Sequence, residues 1–166
     1  MWSIVHRILL WLLMLSLLVV ISVVGVRYVA QSREKPRSTS CHSNVKQLVW
    51  ASLAYAQDYE GRLPNALTWS SDLLPYYKNE RMLHCPQDLR KAERGYDMLQ
   101  RRGLQRLPSD DAGTLILLYE IGKHGVEYRH NDGMNIGFCD GHVKWYSPRV
   151  MTPEVILRGV VEETKP

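Results

Sequence analysis

At 166 residues, 45% of them hydrophobic and 23% charged, the chain has room for one domain of ordinary size and is too apolar for wholesale disorder. Its net charge of +4 comes from dispersed Lys and Arg. The densest basic stretch, Arg90–Arg106, is interleaved with Glu93 and Asp97, which reads as a solvated loop and argues against a nucleic-acid partner.

Ile8–Val26 runs without a charged residue, about the length that crosses a hydrocarbon core as a helix. It is apolar on every face and flanked by Trp2, Arg7, Arg27 and Tyr28, the pattern of a lipid-facing helix with interfacial anchors. A cleaved secretory signal fits less well, because the run is long and Ala30, the nearest small residue, follows bulky Tyr28 by two positions. Residues 1–30 are therefore expected to form an uncleaved membrane helix in contact with lipid. Residues 31–40, QSREKPRSTS, read as a polar connector in which Pro36 kinks or interrupts any helix.

A domain is expected over residues 41–150. Cys41, Val45, Leu48, Ser52, Tyr55 and Tyr59 recur at helical spacing and predict one buried face, with Ser40 or Ser43 as cap and His42, Lys46, Gln47, Gln57 and Asp58 on the solvent side. Gly61 and Pro64 end that helix. Trp69–Tyr77 predicts a short helical turn, Gly95–Leu99 a short strand, and Thr114–Glu120 a stronger, central strand. Met134–Cys139 and His142–Tyr146 flank Asp140-Gly141 and predict a hairpin with a two-residue turn. Residues 151–166 are expected to hold a short helix, opened by Thr152-Pro153-Glu154, and a frayed tail from Glu162. The order predicts an α+β fold in which the helix covers one face of a small antiparallel sheet.

Charge and cysteine content point to opposite sides of the membrane. Arg27, Arg33, Lys35 and Arg37 outnumber Arg7 and place the domain in the cytoplasm. A Cys41–Cys85 disulfide, stapling a helix start to a loop, needs an oxidising compartment instead, and Cys139 makes the cysteine count odd.

His130, Asp132, Cys139, Asp140 and His142 place several metal-ligand types within a short stretch, with Cys139 and His142 facing each other across the predicted turn. The plainer reading gives Asp140 and Gly141 to the turn and has His130 fix the hairpin through backbone hydrogen bonds; it needs no metal or other cofactor. Asp58 and Glu60 lack the surrounding ligands of a calcium loop. No nucleophile elbow, phosphate-binding glycine loop or His-Glu-x-x-His is present, so no enzyme activity is expected. Trp50, Trp69, Trp145, Tyr55, Tyr59, Tyr76 and Tyr77 are expected in the core.

Three segments together, CHSNVKQLVWASLAYAQDYEGRLP (41–64), PYYKNERMLHCPQD (75–88) and RHNDGMNIGFCDGHVKWY (129–146), resemble the prepilin-like proteins of the H-X9-DG type, related to type II secretion pseudopilins. The family motif corresponds to His130, Asp140 and Gly141, and the resemblance covers most of residues 32–146. It implies a pilin-like fold, an extracytoplasmic domain at the periplasmic side or cell surface, a single membrane pass, and secretion or pilus-like subunits as partners. Residues 1–33 carry no acidic side chain, so the Glu that a prepilin uses to register its helix in a filament is lacking, and a non-assembling, uncleaved tether is expected. The alternative is an envelope-tethered module that binds a ligand or protein on a pilin-like scaffold.

Overall fold

The computed structural model describes residues 2–86, 88, 94–99, 106–108 and 110–160, with the backbone alone at 2, 3 and 30–37. Most of the basic stretch 90–106 and the tail from 162 lie outside the described residues. The chain divides into two compact units, Met1–Pro36 and Arg37–Pro166.

Helix α1, Trp2–Asp58, contributes to both units. Its segment Ile4–Val29 has a mean hydropathy of 2.9 and is long and apolar enough to cross a membrane. No side chain of that segment packs inside the protein, as expected of a surface that faces lipid. The helical assignment runs through residues 31–40, so the expected interruption at Pro36 and a cap at Ser40 or Ser43 do not occur. A proline removes one backbone donor, and the hydrogen bonds on either side are enough to carry the helix past it.

In the second unit the buried stripe of α1 is Cys41, Val45, Leu48, Val49, Ala51, Ser52 and Ala56. The first four expected positions, Cys41, Val45, Leu48 and Ser52, hold; the fifth shifts by one to Ala56, and Tyr59 is exposed and stacks on half-buried Tyr55 at 4.1 Å between ring centres. The stripe drifts because 3.6 residues per turn does not match a strict alternation of three and four. Glu60 adopts φ 56° and Gly61 donates to Ala56 O at 2.6 Å, a left-handed closure that ends the helix where expected.

Two short helical turns follow, α2 (Trp69–Asp72) and α3 (Leu74–Tyr77), and then a 3-10 turn at Glu80–Leu83. The sheet comprises β1 (Tyr96–Met98), β2 (Ile116–Gly122), β3 (Gly125–Val126), β4 (Met134–Phe138) and β5 (Val143–Tyr146). Its order is β1-β2-β4-β5, antiparallel throughout, with β3 paired to the end of β2. The expected central strand is thus β2, shifted two residues toward the C-terminus. The architecture is α+β.

Buried clusters lie on both faces of the sheet, and a register shift in β2 between Ile116 and Leu118 lets the neighbours Leu117 and Leu118 join the same one. Leu117, Leu118 and Cys139 pack with the stripe of α1, Trp69, Leu73 and Tyr96. Gly137 lies directly beneath Val49 and Val45, so close that a Cβ there would collide with Val49. The other face, with Ile116, Tyr119, Met134, Ile136 and Phe138, is covered by Met151 and Ile156. Ile156 belongs to α4, Pro153–Arg158, which starts as expected: Thr152 Oγ1 accepts from Val155 N at 3.4 Å, and Gly159 at φ 76° ends it. The sheet therefore has α1 on one face and the C-terminal segment on the other, where the sequence had led us to expect one covered face.

Candidate functional site

The site is built where β2, β4 and the turn between β3 and β4 meet the inner side of α1. After β3 the chain reverses at His130–Gly133, with His130 N donating to Gly133 O at 2.9 Å and Gly133 N to His130 O at 3.1 Å. Asn131 (φ 51°) and Asp132 (φ 54°) occupy the two central positions, which require positive φ and favour these residue types. Gly133 follows because the Trp145 ring covers it and leaves no room for a side chain. Trp145 Nε1 donates to His130 O at 2.8 Å, which fixes the turn against β5.

This reversal drives the His130 side chain into the interior. Its Nε2 lies 3.2 Å from Glu120 Oε1, with neither side chain exposed to solvent. The same nitrogen is 3.5 Å from Cys85 Sγ. Cys85 is bonded to Cys41, with the Cα atoms 5.4 Å apart, so the expected disulfide is present and links α1 to the segment before β1. Asn135 Nδ2 donates to Glu120 Oε1 at 2.7 Å, and Asn135 Oδ1 lies 3.2 Å from His42 Nδ1. A polar chain, His42–Asn135–Glu120–His130, thus runs from the flank of α1 to the disulfide. Its outer end opens into a hollow of about 390 Å³ lined by Ser38, Thr39, His42, Asn131, Asn135 and Trp145.

The chain is not fully satisfied. Glu120 Oε2 and His130 Nδ1 are buried without a hydrogen-bond partner, and the hydroxyl of Tyr96, the residue opposite Glu120 in the β1–β2 register, is buried beside Asn44. Burial, then the nearby Glu120 carboxyl, pushes the Tyr96 hydroxyl well above its usual range, and Asn44 and Arg129 oppose this only in part. Unpaired polar atoms in a dry interior are costly, and this group marks where the domain departs from simple core packing.

The hairpin is where expected, but its turn is not the two-residue type. Gly141 N donates to Phe138 O at 3.1 Å and Phe138 N to His142 O at 3.0 Å, so Phe138 opposes His142 across a three-residue connection with Gly141 at φ 97°. Cys139 therefore does not face His142. The Cys139 thiol is buried on the α1 side, where burial and then Asp140 push it up to about 12. His142 instead stacks on Phe138 at 4.2 Å, and its Nδ1 lies 2.6 Å from Asp140 Oδ1 at the surface. Asp140 is pushed upward by burial, but hydrogen bonds from the backbone and ring of His142 outweigh this and hold it below its ordinary value. Asp132 is exposed in the other turn.

The five hairpin candidates are thus dispersed. Among the described residues, the group of His, Cys, Asp or Glu whose ligand atoms lie within 4.8 Å of one another is Cys41, Cys85 and His130. His130 also departs from the role expected of it, since its ring meets Glu120 and Cys85 and only its backbone braces the turn. Asp58 accepts from Tyr76 OH at 2.8 Å, and Glu60 stands 4.0 Å from Arg106. Of the tryptophans, Trp69 is in the core, whereas Trp50 and Trp145 are 61% and 43% exposed, contrary to expectation.

Glu120, Asn135 and His42 were not singled out from the sequence. The signal that could have found the first two is a lone polar residue on the inward face of an otherwise apolar strand, Glu120 ending TLILLYE and Asn135 within MNIGF. No protein-family model, curated protein or solved structure matches the chain.

Proposed function

We propose that the chain is a membrane-anchored, non-enzymatic, pseudopilin-like structural or assembly protein of the H-X9-DG type, with its globular domain outside the cytoplasm. The observation that carries this reading is the division of labour along α1. Ile4–Val29 is apolar, with no side chain packed inside the protein, while Cys41–Ala56 buries one stripe on an antiparallel sheet. One element thus holds both the lipid-facing surface and the spine of the domain. The Cys41–Cys85 disulfide supports the oxidising side of the membrane over the side favoured by the Arg and Lys near residue 30. Without an acidic residue in 1–33 to neutralise a neighbouring amino terminus in lipid, the helix serves as a retained tether.

The test combines protease accessibility in spheroplasts, N-terminal sequencing of the mature protein, and crosslinking in intact cells. The reading expects the domain to be digested from outside, residues 4–29 to be retained, and secretion or pilus-like subunits to be captured. A domain protected in spheroplasts but digested in inverted vesicles would overturn the orientation. A monomer that captures no such subunit would overturn the assembly role.

A second reading, an envelope-tethered binding module, is favoured by one feature. Exposed Trp50 and the Lys46 ammonium, 5.9 Å from its ring centre, border a groove on α1 that also includes Tyr76, Tyr77 and Met82. Both faces of the sheet carry packed clusters, and its open hollow beside Asn135 and Trp145 is lined mainly by polar side chains. Binding by this reading therefore runs along α1, and loss of a captured ligand in Trp50→Ala distinguishes it.

A further inference from the structure

We propose that the dithiol form of the chain binds one zinc ion at the buried cluster of Cys41, Cys85 and His130, with Glu120, which lies against His130, as the fourth ligand, the metal replacing the disulfide as the link between α1, the segment before β1 and the sheet. This rests on the cluster's geometry and is independent of the assembly role.

Two thiolates, an imidazole and a carboxylate form a tetrahedral zinc set, with Zn–S about 2.3 Å and Zn–N and Zn–O about 2.0–2.2 Å. Tetrahedral angles then place ligand N and S about 3.5 Å apart and ligand N and O about 3.3 Å apart. His130 Nε2 already lies 3.5 Å from Cys85 Sγ and 3.2 Å from Glu120 Oε1. Cys41 Sγ, Cys85 Sγ and His130 Nε2 all lie within 4.8 Å of one another, and Glu120, outside that trio but against His130, reaches the fourth position by side-chain rotation. On reduction the sulfurs must part to about 3.7 Å. The Cα separation of 5.4 Å lets side-chain rotation accomplish this.

The four residues come from four places: α1, the segment before β1, β2 and the turn at 130–133. Their positions are therefore fixed by the fold, as metal geometry requires. Asn135 Nδ2 holds Glu120 Oε1 from behind at 2.7 Å, a supporting hydrogen bond of the kind that orients a carboxylate ligand. Nδ1 of His130 has no partner and takes the ring proton when Nε2 binds metal. A divalent cation also compensates a buried carboxyl whose second oxygen is unpartnered.

The chemistry balances with a water-soluble phosphine as reductant. The phosphine gives two electrons to the S–S bond and becomes its oxide with oxygen from water, whose two protons go to the two thiols. Zinc then displaces both thiol protons to buffer, forming two Zn–S bonds, and accepts lone pairs from Nε2 and Oε1. Because the cluster is buried, the metal enters as the reduced chain closes around it, so binding and folding are one event.

The experiment titrates the phosphine-reduced, detergent-solubilised full chain with cobalt(II), then zinc, following absorbance, bound-metal stoichiometry and melting temperature. The expected result is one metal per chain, a sulfur-to-cobalt charge-transfer band with tetrahedral d–d intensity, displacement by zinc, and a raised melting temperature. The oxidised chain is expected to show none of these. His130→Asn should bind cobalt about tenfold more weakly or worse, whereas Cys139→Ser should bind like wild type. The proposal is overturned if reduced wild type gives no charge-transfer band, or binds metal without a rise in melting temperature. It also fails if Cys139→Ser abolishes binding or His130→Asn leaves it unchanged. The wild-type readouts need no variant to fold.

Discussion

His130 and Glu120, ten positions apart in the chain, meet inside the domain with Nε2 3.2 Å from Oε1 and no solvent contact for either side chain. Removing His130 leaves Asn135 as the remaining hydrogen-bond donor to the buried Glu120 carboxyl, at a cost of about 1–3 kcal/mol. His130→Ala is expected to lower stability by that order in urea unfolding of the disulfide-intact chain. The double variant His130→Ala/Glu120→Leu should recover part of the loss, because the under-satisfied carboxyl is gone. Equal destabilisation by the single and double variants would contradict this pairing.

Gly137 has a packing role. A methyl there meets Val49 and crowds Val45, so Gly137→Ala should force α1 and β4 apart at a cost of about 1–3 kcal/mol. Val49→Ala creates a small gap in the same place. In a double-mutant cycle the two changes should cost less together than the sum of their separate effects.

The disulfide closes a loop with a sequence separation of 44. By chain entropy alone, opening it should remove roughly 4 kcal/mol. The comparison is between oxidised and reduced chains in the presence of a chelator, so that no metal substitutes for the covalent link. A reduced chain as stable as the oxidised one would show that the staple adds nothing.

Cys139 should be inert in the folded protein. Burial, and then Asp140, push its thiol up to about 12, so almost no thiolate exists at neutral pH. Iodoacetamide labelling followed by mass spectrometry should find Cys139 unmodified until denaturant is added. Rapid labelling of the native chain would place that thiol at the surface instead.

Asp140 gives an acid-side dependence. Its folded value lies below the ordinary 3.8, so it adds stability that is full above that value and is lost as pH falls through the lower folded one. Melting temperature measured across this range should fall less steeply in Asp140→Asn than in wild type. Parallel curves would exclude the His142 contacts as the cause.

Much of the fold could be read from residues 8–26, 41–59, 114–120 and 134–146, because apolar spacing reports which face of a helix or strand is buried. The hairpin was legible and its turn type was not, since Asp140-Gly141 suits both a two-residue turn and the last two positions of a three-residue one. That single step moved Cys139 to the inner face and His142 to the outer, dissolving the apparent metal cluster. His130 stood out only through a motif, while Glu120 was hidden at the end of an apolar strand.

Local chemistry alone therefore determined the membrane-length span, the helix face, the central strand and the start of α4. Each depends on residues within a few turns of one another. The Cys41–Cys85 pairing was only one arrangement of three cysteines until the fold brought those two together. The Glu120–His130 contact, the His42–Asn135 link and the covering of both sheet faces were likewise decided by tertiary structure. The physical reason is range: periodicity and turn chemistry act between neighbours in sequence. Whether two distant polar groups share one dry pocket depends on how the elements that carry them pack.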